Sequence, residues 1–167
     1  AVQHGHLKGK LLACDTNPAH LVPAASEFDF LQGPTAHDAS FVDDMIAAFS
    51  SRNIDAFYPI HDAEIAAASE ARAEFAAHGI KVMAPEASII SLVRDKLQMA
   101  ERLTQQTVPN PKTWPLSDTV WQGEPLHVKP RTGVGSKGAT CIDDAATLVR
   151  HKSRPEAAHE IAQPYVP

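Results

Sequence analysis

The part of this chain that most constrains its fold is a glycine-rich stretch at residues 128–138. Three of its glycines follow the spacing G-x-G-x-x-G: Gly133, Gly135 and Gly138. Glycines at this density let backbone N–H groups approach an anion without a Cβ atom in the way. Three cations lie in the same stretch: Lys129, Arg131 and Lys137. The stretch therefore predicts a loop that binds phosphate groups.

The residues on either side of the loop indicate its class. Residues 126–129 and 139–142 both have the pattern of short strands, so we expect the loop to be the tip of a hairpin. Dinucleotide-binding loops instead lead from a strand into a helix, and a Walker A loop needs Lys and Ser or Thr where this chain has Ala139 and Thr140. A protein-kinase loop has its lysine on the following strand, whereas Lys129 precedes the loop. A flexible turn with solvated lysines remains an alternative.

Two patterns of secondary structure divide the chain near residues 84–86. Before this point, strands predicted at residues 10–14, 28–31, 56–60 and 81–83 alternate with helices predicted at 40–50 and 63–78. This alternation favours a parallel sheet with helices on its faces. We expect Asp15 to cap the turn after the first strand, Asp62 to cap the long helix, and Gly79 to end it. After the division, helices at 86–92, 95–106 and 145–151 accompany strands at 126–129, 139–142 and 160–166, which predicts an antiparallel arrangement around the loop.

Charge and composition exclude several classes of protein. The 167 residues carry a net charge of −5 without a cluster of basic residues, so nucleic acid is not an expected partner. No apolar run reaches the ~18 residues that would span a bilayer, and we expect a cytoplasmic protein with no membrane partner. The nine histidines lack the spacing of zinc ligands. The two cysteines, Cys14 and Cys141, lie in apolar runs and are predicted to be buried.

Four segments of the second half resemble, in order, motifs of the ATP-grasp enzymes. Residues 93–100 resemble the segment with a lysine at the start of a helix, and residues 108–113 resemble its V-P-x-P-x-T linker. Residues 125–131 resemble the strand that carries a second lysine, and residues 160–167 resemble the hinge strand that lines the adenine pocket. The first half is similar to the domain that precedes this fold in carbamoyl-phosphate synthase large subunits.

The resemblance implies an α/β chain with two domains. Residues 1–85 are expected to form a parallel, Rossmann-like pre-ATP-grasp domain that lacks its first strand. Residues 86–167 are expected to form the small α+β ATP-grasp subdomain, with an antiparallel sheet, and to end at the hinge. The resemblance also allows a homodimer.

For function, the resemblance implies an ATP-dependent ligase that activates a small-molecule carboxylate as an acyl phosphate for attack by an amine. Lys96 and Lys129 would bind the α- and β-phosphates under the glycine loop, which would act as a lid. The expected nucleotide-binding residues are Lys96, Lys129, Arg131, Gly133, Gly135, Ser136, Lys137, Gly138, Gln163, Tyr165 and Val166. Many relatives carry Glu where this chain has Gln163, so the resemblance does not specify whether the Gln163 side chain contacts the nucleotide.

The acceptor substrate and the metal are further expectations. Asp62 and Glu64 follow the carboxyl end of a predicted strand, the usual ligand face of a parallel sheet, and are candidates for substrate contact. Mg²⁺ would bridge the ATP phosphates, with its protein ligands beyond residue 167. We therefore expect no turnover by this chain alone. A nucleotide-binding or regulatory module without catalysis, and an α/β scaffold that binds no nucleotide, remain alternatives.

Overall fold

The computed structural model describes residues 9–21 and 29–166. The chain divides into two compact units, with the boundary between Ala84 and Pro85.

The first unit contains two parallel pairs of short strands. β1 (Leu12–Asp15) pairs with β2 (Asp29–Gln32), and β3 (Ala56–Phe57) pairs with β4 (Lys81–Val82). In the described residues these pairs are separate two-stranded sheets. As predicted, Asp15 closes the turn after β1, because its Oδ1 accepts a 2.8 Å hydrogen bond from the amide of Asn17.

Three helices complete this unit: α1 (Phe41–Ser50), α2 (Asp62–Glu70) and α3 (Arg72–Ala77). α1 buries the apolar stripe Phe41, Met45, Ile46 and Phe49, whose spacing matches one face of a helix. The rings of Phe49 and Phe57 lie 5.0 Å apart, and those of Phe57 and Phe75 lie 5.6 Å apart. These tilted aromatic contacts join α1, β3 and α3 in one core.

Two predictions for the long helix were wrong. The alanine-rich sequence favours one continuous helix, whereas the structure interrupts it at Ala71. Arg72 begins the second piece and donates to the carbonyl oxygens of Val82 (3.0 Å) and Ala84 (2.5 Å). The N-cap is His61, and Asp62 is the first helical residue. Gly79 follows the helix with φ +75°, as predicted.

The second unit is built on a four-stranded antiparallel sheet, which confirms the antiparallel prediction for this half. Its strands are β5 (Trp114–Pro115), β6 (Leu126–Pro130), β7 (Thr140–Ile142) and β8 (Glu160–Pro164), in the order β5-β8-β6-β7. The helices are α4 (Ala87–Arg94), α5 (Lys96–Gln105) and α6 (Ala145–Lys152). One face of the sheet packs on a core that includes Leu116, Val128, Ile142, Leu148 and Ala162.

Side chains alternate between the two faces of β6, and this alternation positions the site. Leu126 and Val128 are buried in the core, so His127 and Lys129 lie on the opposite face. The same alternation buries Ile142 on β7 and leaves Cys141 exposed. Cys14 is also exposed, so the prediction of two buried thiols was wrong. Within the described residues, no helix is long and apolar enough to cross a membrane.

Candidate functional site

A cleft of about 190 Å³ lies where β6, the start of α5 and the glycine loop meet. Its lining residues are Lys96, His127, Lys129, Pro130, Thr132, Gly133, Val134, Gly135, Ser136, Lys137 and Ala139. Sites that enclose a whole small-molecule ligand usually measure ~300–1,000 Å³. This cleft therefore has room for the phosphate groups of a nucleotide rather than for the whole molecule.

The loop backbone takes left-handed turns that favour glycine. Gly133, Gly135 and Gly138 have φ of +123°, +66° and +77°, and Ser136 has φ +55°. Gly138 also makes a close approach, because a Cβ atom on it would lie 3.0 Å from Cγ of Pro130. The tip folds back on itself through a 3.1 Å hydrogen bond from the amide of Ala139 to the carbonyl of Ser136. Position 138 therefore requires glycine for two reasons, the positive φ and the closeness of the Pro130 ring.

The cleft is electropositive. Three lysines line it, Lys96, Lys129 and Lys137, and no Asp or Glu is among the lining residues in the described part of the chain. Partial burial, and then the charge of Lys96, lower the pKa of Lys129. Such crowding of like charges indicates a site built to receive an anion.

His127 adds a titratable group to the cleft. Burial, and then the charge of Lys129, lower its pKa from the ordinary value of 6.5. The imidazole is therefore neutral at physiological pH and gains a charge only in acid.

Lys96 connects helix α5 to the loop. Its backbone amide donates to the carbonyl of Arg131 at 3.0 Å. Its Nζ donates to the carbonyl of Gly133 at 3.0 Å and lies 3.5 Å from the carbonyl of Arg131. The ammonium group is thereby held at the first glycine of the loop.

Arg131 does not line the cleft, since its guanidinium binds Asp95. Nε lies 2.7 and 2.8 Å from the two carboxylate oxygens of Asp95, and Nη2 lies 2.7 Å from Oδ2. These bonds, above all others, lower the pKa of Asp95 to about 2. Asp95 also caps α5 by accepting hydrogen bonds from the amides of Leu97 (3.1 Å) and Gln98 (3.2 Å).

The predicted hinge residues lie on β8 and just after it, outside the lining of the cleft. Gln163 pairs across the sheet with His127, and its Nε2 donates to Oγ1 of Thr113 at 2.9 Å. The amide of Tyr165 donates to the carbonyl of Pro125 at 3.0 Å. Tyr165 and Val166 are 46% and 77% exposed, so both residues are accessible to a ligand.

The candidate substrate residues Asp62 and Glu64 lie in the first unit. Glu64 accepts a 3.3 Å hydrogen bond from the amide of His61, and His61 Nδ1 accepts one of 3.3 Å from the amide of Ala63. This reciprocal capping box gives Glu64 a role in starting the helix. In the parts of the chain that the structure describes, no three His, Cys, Asp or Glu side chains are grouped so that they could hold a metal ion.

Six of the eleven predicted nucleotide-binding residues therefore line one cleft: Lys96, Lys129, Gly133, Gly135, Ser136 and Lys137. Sequence reasoning missed His127 and Thr132, which also line it. The signal for His127 was present, because two apolar residues flank it in a strand and Lys129 follows two positions later.

Comparison with known proteins identifies the fold. No protein-family model and no curated protein sequence matches the chain. Among solved structures, it is similar to N5-carboxyaminoimidazole ribonucleotide synthetase from Thermus thermophilus (TM-score 0.66, 14% identity, covering 95% of this chain and 41% of that one). It is also similar to the biotin carboxylase domain of Hydrogenobacter thermophilus 2-oxoglutarate carboxylase, solved as a dimer with MgADP, ADP and bicarbonate (TM-score 0.63, 15% identity, covering 94% of this chain and 39% of that one). A third similar structure is D-alanyl-alanine synthetase A from Vibrio cholerae (TM-score 0.52, 10% identity, covering 68% of this chain and 38% of that one).

All three are ATP-grasp enzymes, so the resemblance seen in the sequence is confirmed at the level of the fold. The chain spans about two fifths of the length of these proteins.

Proposed function

We propose that this chain, which has the fold of part of an ATP-grasp enzyme, binds ATP in the cleft beneath its glycine loop. It would do so as part of a carboxylate–amine ligase, similar to carbamoyl-phosphate synthase, that forms an acyl phosphate. One observation carries the proposal: a glycine loop and three lysines converge on a cleft whose lining, in the described residues, contains no carboxylate. A chain of phosphates is the ligand whose charge and shape suit that lining.

The lysines would supply most of the binding energy. A cation 4 Å from a phosphate oxygen gains ~4 kcal/mol at an effective dielectric constant of 20, but only ~1 kcal/mol in bulk water. Lys129 is half-buried, and its lowered pKa reflects that burial and then repulsion from Lys96, which a polyphosphate between the two would relieve. Lys137 and the loop would close over the phosphates and exclude water, which strengthens every charge interaction inside.

The base would extend from the cleft toward β8. His127 at the cleft and Gln163 beside it form a cross-strand pair, and the exposed Tyr165 and Val166 follow. We propose that backbone groups of this segment recognise the adenine edge while the apolar side chains cover its face. Asp62 and Glu64 remain candidates for contact with the acceptor substrate. We also propose that the first unit is a parallel, Rossmann-like pre-ATP-grasp domain.

The residues of the cleft fit ATP better than they fit a metal. Lysines and glycine amides are donors to phosphate, and the described residues offer no cluster of acidic or imidazole ligands. Mg²⁺ bound together with ATP would neutralise negative charge on the phosphate groups. Because no such cluster is described here, we expect the 167-residue chain to bind ATP without turnover. We also propose a homodimer, because the similar carboxylase domain was solved as one.

Calorimetric titration tests the phosphate site directly. Affinity should fall in the order ATP, ADP, AMP, because each phosphate removed loses contacts with the lysines. Lys129→Ala should weaken ATP binding about 10- to 100-fold, as expected for loss of a charge-assisted hydrogen bond. Lys81→Ala is the matched control, since Lys81 is an exposed lysine on β4 of the first unit. Equal affinity of the Lys129→Ala variant and the parent would contradict the proposal.

A second assay addresses turnover. The parent chain, with Mg-ATP and candidate carboxylates and amines, is expected to release no ADP above the rate without protein. Sustained ADP formation would show that the chain carries a complete active site. Sedimentation measures the proposed dimer, and a single monomeric species across the working concentration range would exclude it.

A further inference from the structure

Asp95 connects two elements that form the phosphate cleft. Its carboxylate caps α5 through the amides of Leu97 and Gln98, and it also binds the guanidinium of Arg131, the residue that follows β6. The Asp95 side chain is 13% exposed and that of Arg131 is 39% exposed, so the carboxylate is the more buried partner of this ion pair. Arg131 contacts the carboxylate twice through Nε and once through Nη2. This arrangement depends on the planar guanidinium group, which lysine cannot reproduce.

The backbone of Arg131 sets the position of Lys96. The carbonyl of Arg131 accepts the amide hydrogen of Lys96 at 3.0 Å, and the amide of Arg131 donates to the carbonyl of His159 at 2.8 Å. Arg131 is therefore held by α5 on one side and by the residue before β8 on the other. Lys96 and the first glycine of the loop, Gly133, then meet at 3.0 Å.

We propose that Asp95 and Arg131 are positioning residues that fix Lys96 for phosphate binding, and that Arg131 does not itself contact the phosphates. This inference rests on the proposed function of the cleft. It differs from the role expected of Arg131 from the sequence, because its donors toward Asp95 are in use and its side chain is absent from the lining of the cleft.

Lysine labelling tests the positioning without any nucleotide. Asp95→Asn is the informative variant, because asparagine also caps helices and removes mainly the ion pair. Reductive methylation followed by mass spectrometry measures how fast each lysine reacts. Lys96 should react at least about 3-fold faster in Asp95→Asn than in the parent, with the exposed Lys81 of the first unit as the internal control that stays unchanged. Equal labelling of Lys96 in the two proteins would overturn the proposal.

A double-mutant cycle on ATP affinity tests the consequence for binding. Asp95→Asn and Arg131→Lys should each weaken ATP binding about 10-fold when Lys96 is present. In a Lys96→Ala background each should change the affinity less than about 2-fold, because the residue they position is gone. If Arg131→Lys lowers ATP affinity by the same factor with Lys96 present and with Lys96→Ala, Arg131 binds phosphate directly. That result would overturn the proposal.

Two controls keep the results interpretable. Circular dichroism establishes that each variant is folded, and Arg131→Lys gives an independent route if Asp95→Asn fails to fold. If the parent does not bind ATP, the proposed function fails. The labelling of Lys96 then still decides, by itself, whether Asp95 and Arg131 position that lysine.

Discussion

Alanine at Gly138 should destabilise the second unit more than alanine at Gly135, although both glycines have positive φ. A side chain in the left-handed region costs roughly 1–2 kcal/mol at either position. At Gly138, with φ +77°, the new Cβ would also lie 3.0 Å from Cγ and 3.3 Å from Cδ of Pro130. At Gly135, with φ +66°, no described atom lies within 4 Å of the new Cβ.

The difference in free energy follows from that contact. Pro130 is a rigid ring at the end of β6, so relief requires the backbone to move, and overpacking of this kind costs roughly 1–3 kcal/mol. We therefore expect a loss of about 2–5 kcal/mol in the free energy of unfolding for Gly138→Ala and about 1–2 kcal/mol for Gly135→Ala. In a unit of this size, each kcal/mol lowers Tm by about 4–8 °C.

Urea denaturation followed by tryptophan fluorescence measures these values. The two tryptophans, Trp114 and Trp121, both belong to the second unit, so their emission reports on its unfolding even if the first unit unfolds separately. Equal losses for the two variants would refute the argument from the Pro130 contact. A Gly138→Ala variant as stable as the parent would refute the conformational argument as well.

Three other perturbations have defined outcomes. The folded-state pKa of Asp95, about 2, lies below its ordinary 3.8, so its contribution to stability is present above about pH 4 and is lost as the pH falls toward 2. The pKa shift corresponds to about 2 kcal/mol, and solvent screening of Arg131, which is 39% exposed, reduces this contribution to about 1 kcal/mol. When the free energy of unfolding is measured as the pH is lowered, the parent should show this loss and Asp95→Asn should not. His127 has a lowered pKa and should gain its charge only in acid. Between about pH 7 and about pH 5, ATP affinity measured by calorimetry should therefore rise more steeply in the parent than in His127→Gln. Parallel pH profiles of the two proteins would exclude a role for this imidazole. Leu116→Ala removes a completely buried side chain and should cost about 2–5 kcal/mol in the same fluorescence assay, whereas an exposed valine such as Val120, changed to alanine, should cost less than about 0.5 kcal/mol.

The glycine loop could be predicted well because local rules determine it. Glycine spacing, flanking apolar runs and a preceding lysine are all read within a few residues of each other, and the structure has the hairpin from Leu126 to Ile142. Helix α1 was predicted for the same reason, since its buried stripe repeats at helical spacing. Periodicity over ten residues leaves few alternatives.

Other features depend on contacts that the sequence does not specify. β5 has only two residues, Trp114 and Pro115, and exists because β8 is beside it. The ion pair of Asp95 with Arg131 joins residues far apart in the chain, and no local pattern distinguishes an arginine that binds phosphate from one that binds a carboxylate. The exposure of Cys141 depends on which face of β7 meets the core, and that is decided by the packing of the sheet.

The strand order β5-β8-β6-β7 also determines when the second unit can fold during synthesis. β8 is the last of the four strands to leave the ribosome, yet it lies between β5 and β6 and pairs with both. Until it emerges, the nascent chain can hold only the hairpin of β6 and β7, and an isolated hairpin is marginally stable in water. The lysines of the cleft are thus synthesised well before the sheet that holds them. A ribosome that pauses before Glu160 leaves one edge of β6 unpaired and the core without Ala162, and such an edge is open to chaperones or to aggregation.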